Sequence, residues 1–447
     1  MANLLYNIVL TLAALFLIPF FLVKIVFAGK YRKSIGPKLG FVPDRVFGEM
    51  KGSPRIWIHA VSVGEVTAAA PIISSLRESC PGACIVLSTS TETGQEMARR
   101  LVTDATAHIY YPLDIPSVVR KIIDGVRPDI FVPVETEIWP NFISACGKRG
   151  IPVAMVNGRI SPRSFRRYRQ TRFFWKHVMK MVDVTGVIST IDASRLVALG
   201  VEPSKIHVMG NAKYDSLAAG VDESLRDDIA ARLDIPHGAQ VFVAGSTHEG
   251  EDEVVLKVYR GLVERYPDML MIIVPRHPER GAAVLSLANG SGFHDCVTMS
   301  AIDRGERRAG RRIVIVDMIG ELFRVYSLAT VVFCGGSLVP RGGQNILEPA
   351  AWGKVVLYGP SMEDFTDERE RLEDAGGGIN VRDGGELLDE ILRLMEDPEA
   401  LRRRGEAGRA IVASNGGAAR RYAEMIRDHL NNSRGRGFKG SGIQGFE

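Results

Sequence analysis

Several strand ends of this chain carry residues able to do chemistry. In "IHAVSVGEVTAAAP" (58–71), an apolar run breaks at Ser62-Val63-Gly64-Glu65 and resumes as a helical pattern. Glycine permits the sharp turn, and Glu65 falls in the first helical turn. A carboxylate there can serve the helix dipole, worth ~0.3–1 kcal/mol. It can equally act as a general base toward an acceptor hydroxyl. In "VETEIWPN" (134–141), Glu135 and Glu137 end a buried strand beside Trp139. Carboxylates at such a boundary are costly unless exposed, paired or used. In "VPRHPER" (274–280), Arg276 and His277 sit at a strand end, with Pro278 placed to begin a helix. An exposed Arg–His pair suits a nucleotide base or phosphate.

Two further stretches expose backbone. "AGSTHEGEDE" (244–253) ends a strand and starts a helix after His248. Its amides could hold a phosphate, or its early acidic residues could simply cap the helix. The most specific stretch is "FCGGSLVPRGGQNILEPAAWGKVVLYGP" (333–360). Gly335-Gly336-Ser337 and Gly342-Gly343 leave amides uncovered, and Asn345 opens a helix bearing Glu348. Glycines with a helix N-terminus form a phosphate cradle, and a nearby carboxylate can take ribose hydroxyls. The pattern is neither G-x-G-x-x-G nor GxxxxGK[ST], which weakens dehydrogenase and P-loop readings.

The elements that must position these residues are short apolar strands alternating with helical stretches. They run at 55–61, 84–90, 108–112, 129–135, 152–158 and 184–190, then at 240–246, 269–275, 312–317, 330–337, 355–360 and 378–381. Near-continuous apolar strands with helical crossovers mean parallel sheets covered on both faces. The pattern dissolves at 211–238 and restarts, which predicts two doubly wound, Rossmann-like α/β domains facing a cleft. The expected division is an anchor over 1–30, a first domain over 31–215, a second over 216–430 and a disordered Gly/Ser/Arg-rich tail over 431–447.

Residues 4–23 hold no charge. Twenty helical residues span ~30 Å, the thickness of a bilayer core. Lys24, Lys30, Arg32 and Lys33 follow, so the positive-inside rule puts everything after residue 24 on the cytoplasmic side of a single-pass anchor. From 138 to 182 there is no acidic residue, and Arg163, Arg166, Arg167, Arg169 and Arg172 alternate with Phe165, Tyr168, Phe173, Phe174 and Trp175. With an anchor upstream, this segment suits anionic lipid headgroups rather than nucleic acid. A net charge of +4 over 447 residues does not suggest a nucleic-acid binder. Five sparse cysteines, with only Cys80 and Cys84 close in sequence, fit a reduced compartment. Nine scattered histidines suggest no metal site. A membrane-anchored glycosyltransferase using a nucleotide sugar fits this combination.

The motifs "HAVSVGE", "VETEIWPN", "NGRIS", "GNAKYD", "GSTHEGE", "VPRHPER", "GGSLVPRGGQNILEP" and "YGPSMEDFTD", in that order to about residue 428, resemble the 3-deoxy-D-manno-octulosonic acid (Kdo) transferases of lipopolysaccharide biosynthesis. The resemblance implies a GT-B fold, CMP-Kdo as donor and a bisphosphorylated, lipid IVA-like lipid A precursor as acceptor at the inner membrane. It implies an inverting, metal-independent transfer without a cofactor. It makes Glu65 the proton acceptor, and Glu135 and Lys213 transition-state stabilisers. It assigns CMP contacts to Arg276 and His277, to Met318, Ile319 and Gly320, and to Asn345, Ile346, Leu347 and Glu348. The chain departs from the family at Gln344, where many relatives have histidine, and at Met318, where many have threonine. The alternative is another GT-B nucleotide-sugar transferase acting on a membrane lipid acceptor.

Overall fold

The computed structural model describes residues 6–12 and 34–438. The chain divides into two units, one reaching to Ser216 and taking in the residues from Gly416 on, the other Leu217–Asn415.

In the first unit, β1 (Arg55–His59), β2 (Cys84–Thr89), β3 (Ala107–Tyr110) and β4 (Ile130–Pro133) form a parallel sheet in the order β3-β2-β1-β4. A second parallel sheet follows, β5 (Ala154–Gly158), β6 (Val184–Val187) and β7 (Ile206–Val208). Bridges Phe131–Val153 and Val134–Val156 join the two. β2, β4 and β5 are buried along their whole length because their side chains pack on both faces. One face carries Ile58, Ile72, Val132 and Val156, and the other Trp57, Val86, Phe131 and Phe142.

In the second unit, β8 (Val241–Thr247), β9 (Leu270–Pro275), β10 (Cys296–Thr298), β11 (Ile313–Ile315), β12 (Val331–Cys334), β13 (Val356–Tyr358) and β14 (Gly378–Asn380) form one parallel sheet. Its order is β10-β11-β9-β8-β12-β13-β14. In each unit the strand order reverses beside the first strand, at β1 between β2 and β4 and at β8 between β9 and β12. Open α/β sheets bind ligands at the C-terminal strand ends at such a point.

The expected strands all appear. β7 and β10 were not expected: no residue of β7 and one of β10 is buried, so neither leaves a continuous apolar run in the sequence. The domain boundaries need correction. The helix Ala418–Phe438 belongs with the first unit, not the second. Its Tyr422, Ala423 and Ile426 are part of that core, and Asp215 accepts from the Gly417 and Ala419 amides at its start. The helix runs on to Phe438 and so overlaps the start of the tail expected over 431–447. Residues 439–447 lie outside the described residues.

No helix among the described residues is long and apolar enough to cross a membrane. The expected span at 4–23 is described only over 6–12, and the rest of it lies outside the described residues. There, the Asn7 amide exchanges hydrogen bonds with Asn141, at 3.1 and 2.7 Å, and Tyr6 stacks on Phe174.

Candidate active site

The turn after β1 is built as its sequence suggested. Helix Val63–Ser79 starts at Ser62, whose side chain makes no cap, and Glu65 reaches back instead. Its Oε2 accepts from the Val61 amide at 2.6 Å and its Oε1 from Ser62 Oγ at 3.2 Å. Glu65 thus does the structural work of a helix start. It also lies in an environment unusual for that role, being only 9% exposed. Burial pushes its carboxyl up to about 8; the Val61 amide and Ser62 hydroxyl oppose this, while Glu135 and Glu137 add to it.

Glu135, just past β4, holds a left-handed backbone at φ +60°, strained for a residue with a side chain by ~1 kcal/mol. Its amide donates to Val156 O at 2.9 Å, and its Oε1 accepts from Lys213 Nζ at 2.8 Å. Lys213 Nζ in turn lies 3.9 Å from where a Cβ on Gly64 would sit, so residue 64 faces the ammonium. The segment that delivers Lys213 is held from several sides. Asn157, itself at φ +52°, accepts from the Ala212 amide, and Asn211 Oδ1 accepts from the Lys213 amide. Tyr422 and Arg421 of the last helix bind the carbonyls of Gly210 and Met209. Glu65, Glu135 and Lys213, scattered in sequence, therefore meet at the C-terminal ends of β1 and β4. Glu137 accepts from Trp139 Nε1 at 3.1 Å, and burial raises its carboxyl too. Behind the site, the fully buried His59 ring stacks on Tyr111 at 3.7 Å and bonds Ser88; burial drives it down to about 3, a neutral imidazole.

In the second unit, Arg276 and His277 are exposed at the end of β9. The His277 ring lies 6.1 Å from that of His248, a residue the sequence reading did not single out as a contact. Arg276 also acts on Glu348: burial pushes the Glu348 carboxyl up to about 7, against the Asn345 hydrogen bond and the Arg276 charge. Asn345 Nδ2 donates to Glu348 Oε1 at 3.0 Å while its Oδ1 accepts from the Leu347 amide, which starts the short helix Leu347–Ala351. Ile346 and Leu347 are buried. Met318, Ile319 and Gly320 follow β11; Ile319 is 78% exposed, Gly320 takes φ +90°, and Met318 Sδ accepts from Arg232 at 3.6 Å.

The glycine cradle differs from expectation. The amides of Gly336, Ser337 and Leu338 donate to the carboxylate of Glu251, so they are not open to a phosphate. The His248 amide donates there as well, which resolves "STHEGEDE" as a cap made by its own acidic residue. The reason is geometric: Gly335 and Gly336 bring β12 so close to β8 that the first acidic side chain of helix Glu251–Arg265 fills the cradle.

The basic segment forms helices Pro162–Gln170 and Arg172–Met179. Phe165, Tyr168, Phe174 and Trp175 pack on the core. Arg163, Arg166, Arg167, Arg169 and Arg172 are exposed, and so is Phe173 at 71%.

Doubly wound units with acid–base groups at the strand ends of one and an Arg–His–carboxylate group at those of the other define an α/β protein of the GT-B-like class. The fold agrees with that of a putative UDP-N-acetylglucosamine 2-epimerase from Listeria monocytogenes, at a TM-score of 0.61 and 16% identity over 85% of this chain and 97% of that one. The family model described as 3-Deoxy-D-manno-octulosonic-acid transferase (kdotransferase) matches residues 33–216. The 3-deoxy-D-manno-octulosonic acid transferase of Haemophilus influenzae is 32% identical over 402 residues, 90% of this chain and 92% of that protein. That of Chlamydophila psittaci is 30% identical over 397 residues, 88% and 89% of the two chains. The chain belongs to the Kdo transferase family and is a glycosyltransferase.

Proposed function

We propose that this enzyme transfers Kdo from CMP-Kdo to a hydroxyl of a bisphosphorylated lipid A precursor, with inversion and with Glu65 as general base. The observation that carries the reading is Glu65 itself: a carboxyl held at about 8 next to the Lys213–Glu135 pair. A base whose proton affinity lies near neutrality is the effective kind. The acceptor oxygen attacks the anomeric carbon, the bond from that carbon to the CMP phosphate breaks with its electron pair leaving on phosphate, and Glu65 takes the hydroxyl proton. Lys213, oriented by Glu135, offsets negative charge that builds up around the donor carboxylate and departing phosphate. Arg276 and His277 serve the phosphate or base of CMP, and Glu348 the ribose hydroxyls. CMP is a good leaving group, so the transfer requires no metal.

The reading places the enzyme on the cytoplasmic face of the inner membrane. The anchor over 1–30 tethers it, and the exposed arginines of 163–172 rest on anionic headgroups. The test is transfer from CMP-Kdo to a lipid A precursor in EDTA, with CMP and UDP compared as inhibitors. Undiminished turnover and selective inhibition by CMP are expected. Loss of activity in EDTA would overturn the metal-free mechanism, and preferential inhibition by UDP would overturn the donor.

A further inference from the structure

The carboxylate of Glu251 is fully buried, and each of its oxygens accepts two backbone N–H groups. Oε2 takes those of His248 at 2.9 Å and Gly336 at 2.7 Å; Oε1 takes those of Ser337 at 3.0 Å and Leu338 at 2.9 Å. Successive amides converging in this way make a concavity that binds anions, and here the anion is supplied by the chain itself. The closure is tight. A Cβ on Gly335 would lie 2.9 Å from Glu251 Oε2 and 2.6 Å from Ser246 O, and Gly336 takes φ +68°.

We propose that Glu251 is a positioning residue for donor binding, fixing His248 and the turn Gly336–Leu338 relative to Arg276, His277 and Glu348. This rests on the reading of the second unit as the CMP-Kdo site. The connection can be followed atom by atom. The His248 amide is tied to Glu251 and its ring lies 6.1 Å from His277. On the other side, Gly336 O accepts from the Gly343 amide at 2.8 Å, and Gln344 Cγ lies 3.3 Å from a Cβ built on Gly336. Asn345, which holds Glu348, is the next residue. One carboxylate therefore joins the end of β8, the end of β12 and the loop that leads to Asn345. A corollary is that the donor phosphate binds to other groups than the amides of 336–338.

Glu251→Gln tests this, because it replaces one oxygen with an NH2 that faces two N–H donors. The full-length protein is titrated calorimetrically with CMP. Dissociation constants at least tenfold higher are expected for E251Q, with donor KM rising in parallel while acceptor KM and kcat stay within threefold. A role in stability alone would lower the melting temperature and leave the CMP affinity and donor KM of the folded protein unmoved. Glu251→Ala opens the four-amide concavity to a small anion, so formate is expected to restore CMP affinity in that variant and to leave wild type unaffected. Gly336→Ala, which keeps Glu251 but pushes on Gln344 and His248, is expected to weaken CMP as well. The proposal is overturned if E251Q or, where E251Q fails to fold, G336A binds CMP within twofold of wild type. Wild type that fails to bind CMP overturns the donor-site reading and the proposal with it.

Discussion

Replacing Glu65 with glutamine changes stability in a way that depends on pH, and the dependence can be worked out. Burial raises this carboxyl from an ordinary 4.5 to about 8 in the folded protein. Between those values the folded state binds more protons than the unfolded one, so stability falls as pH rises through the window and levels off above pH 8. The gap, at ~1.4 kcal/mol per pH unit, amounts to ~5 kcal/mol well above pH 8. By the same linkage it is ~1 kcal/mol at pH 5 and ~3 kcal/mol at pH 7. Glutamine does not titrate, and its carbonyl oxygen can still accept from the Val61 amide. Glu65→Gln should therefore gain on wild type by ~4 kcal/mol between pH 5 and pH 9, with other titrating groups common to both proteins. Urea unfolding at pH 5, 7 and 9 measures this, followed by the fluorescence of Trp57, Trp139 and Trp175 in the first unit. A stability difference that stays flat within ~1 kcal/mol over this range would refute the burial argument, and with it the physical reason for a base poised near neutrality.

Other substitutions probe separate links. His59 is held at about 3, so its stabilisation is fully present above about pH 6.5 and is lost as pH falls toward 3; His59→Gln should shift the acid-unfolding midpoint downward, and an unchanged midpoint would contradict a neutral buried imidazole. Lys213→Met and Glu135→Gln should each lower kcat ~10²-fold or more with CMP affinity within twofold of wild type, and the double variant should lose much less than the product of the two, because the pair acts as a unit; strictly multiplicative losses would show that the two act independently. Gly405→Ala would set its Cβ on the carbonyl oxygen of Gly353, a backbone atom, and should cost ~1–3 kcal/mol in urea unfolding; stability equal to wild type would mean that the helix Pro398–Ser414 can shift freely.

The strands were legible because their apolar side chains are buried on both faces, which leaves a continuous hydrophobic run in the sequence. Glu65, Glu135 and Arg276 were legible as polar residues where such runs stop, and Glu348 as the carboxylate on the helix that Asn345 opens. Lys213 was not readable from pattern; only the family resemblance pointed to it. Its placement depends on Asn157 in a left-handed conformation and on a helix that returns from beyond residue 416, both contacts distant in sequence. Glu251 shows the same limit from the other side. The glycines announced a set of amides, but the carboxylate that fills them comes from 85 residues earlier and becomes visible only when β8 and β12 pair. Residues 165–175 read as aromatic groups interleaved with arginines for a membrane. Folding packs four of those rings, half-buried, against the core and leaves the arginines and Phe173 outside.

The most direct test of the account incubates the protein with CMP-Kdo and a bisphosphorylated lipid A precursor and reads the lipid product by mass spectrometry, with Glu65→Ala alongside. The account predicts that wild type adds whole Kdo residues to the lipid. It predicts that Glu65→Ala binds CMP normally and adds none above ~1% of the wild-type rate. No product from the wild-type protein, with an active control enzyme in parallel, would contradict the assignment. Near-normal transfer by Glu65→Ala would remove Glu65 from the role of base.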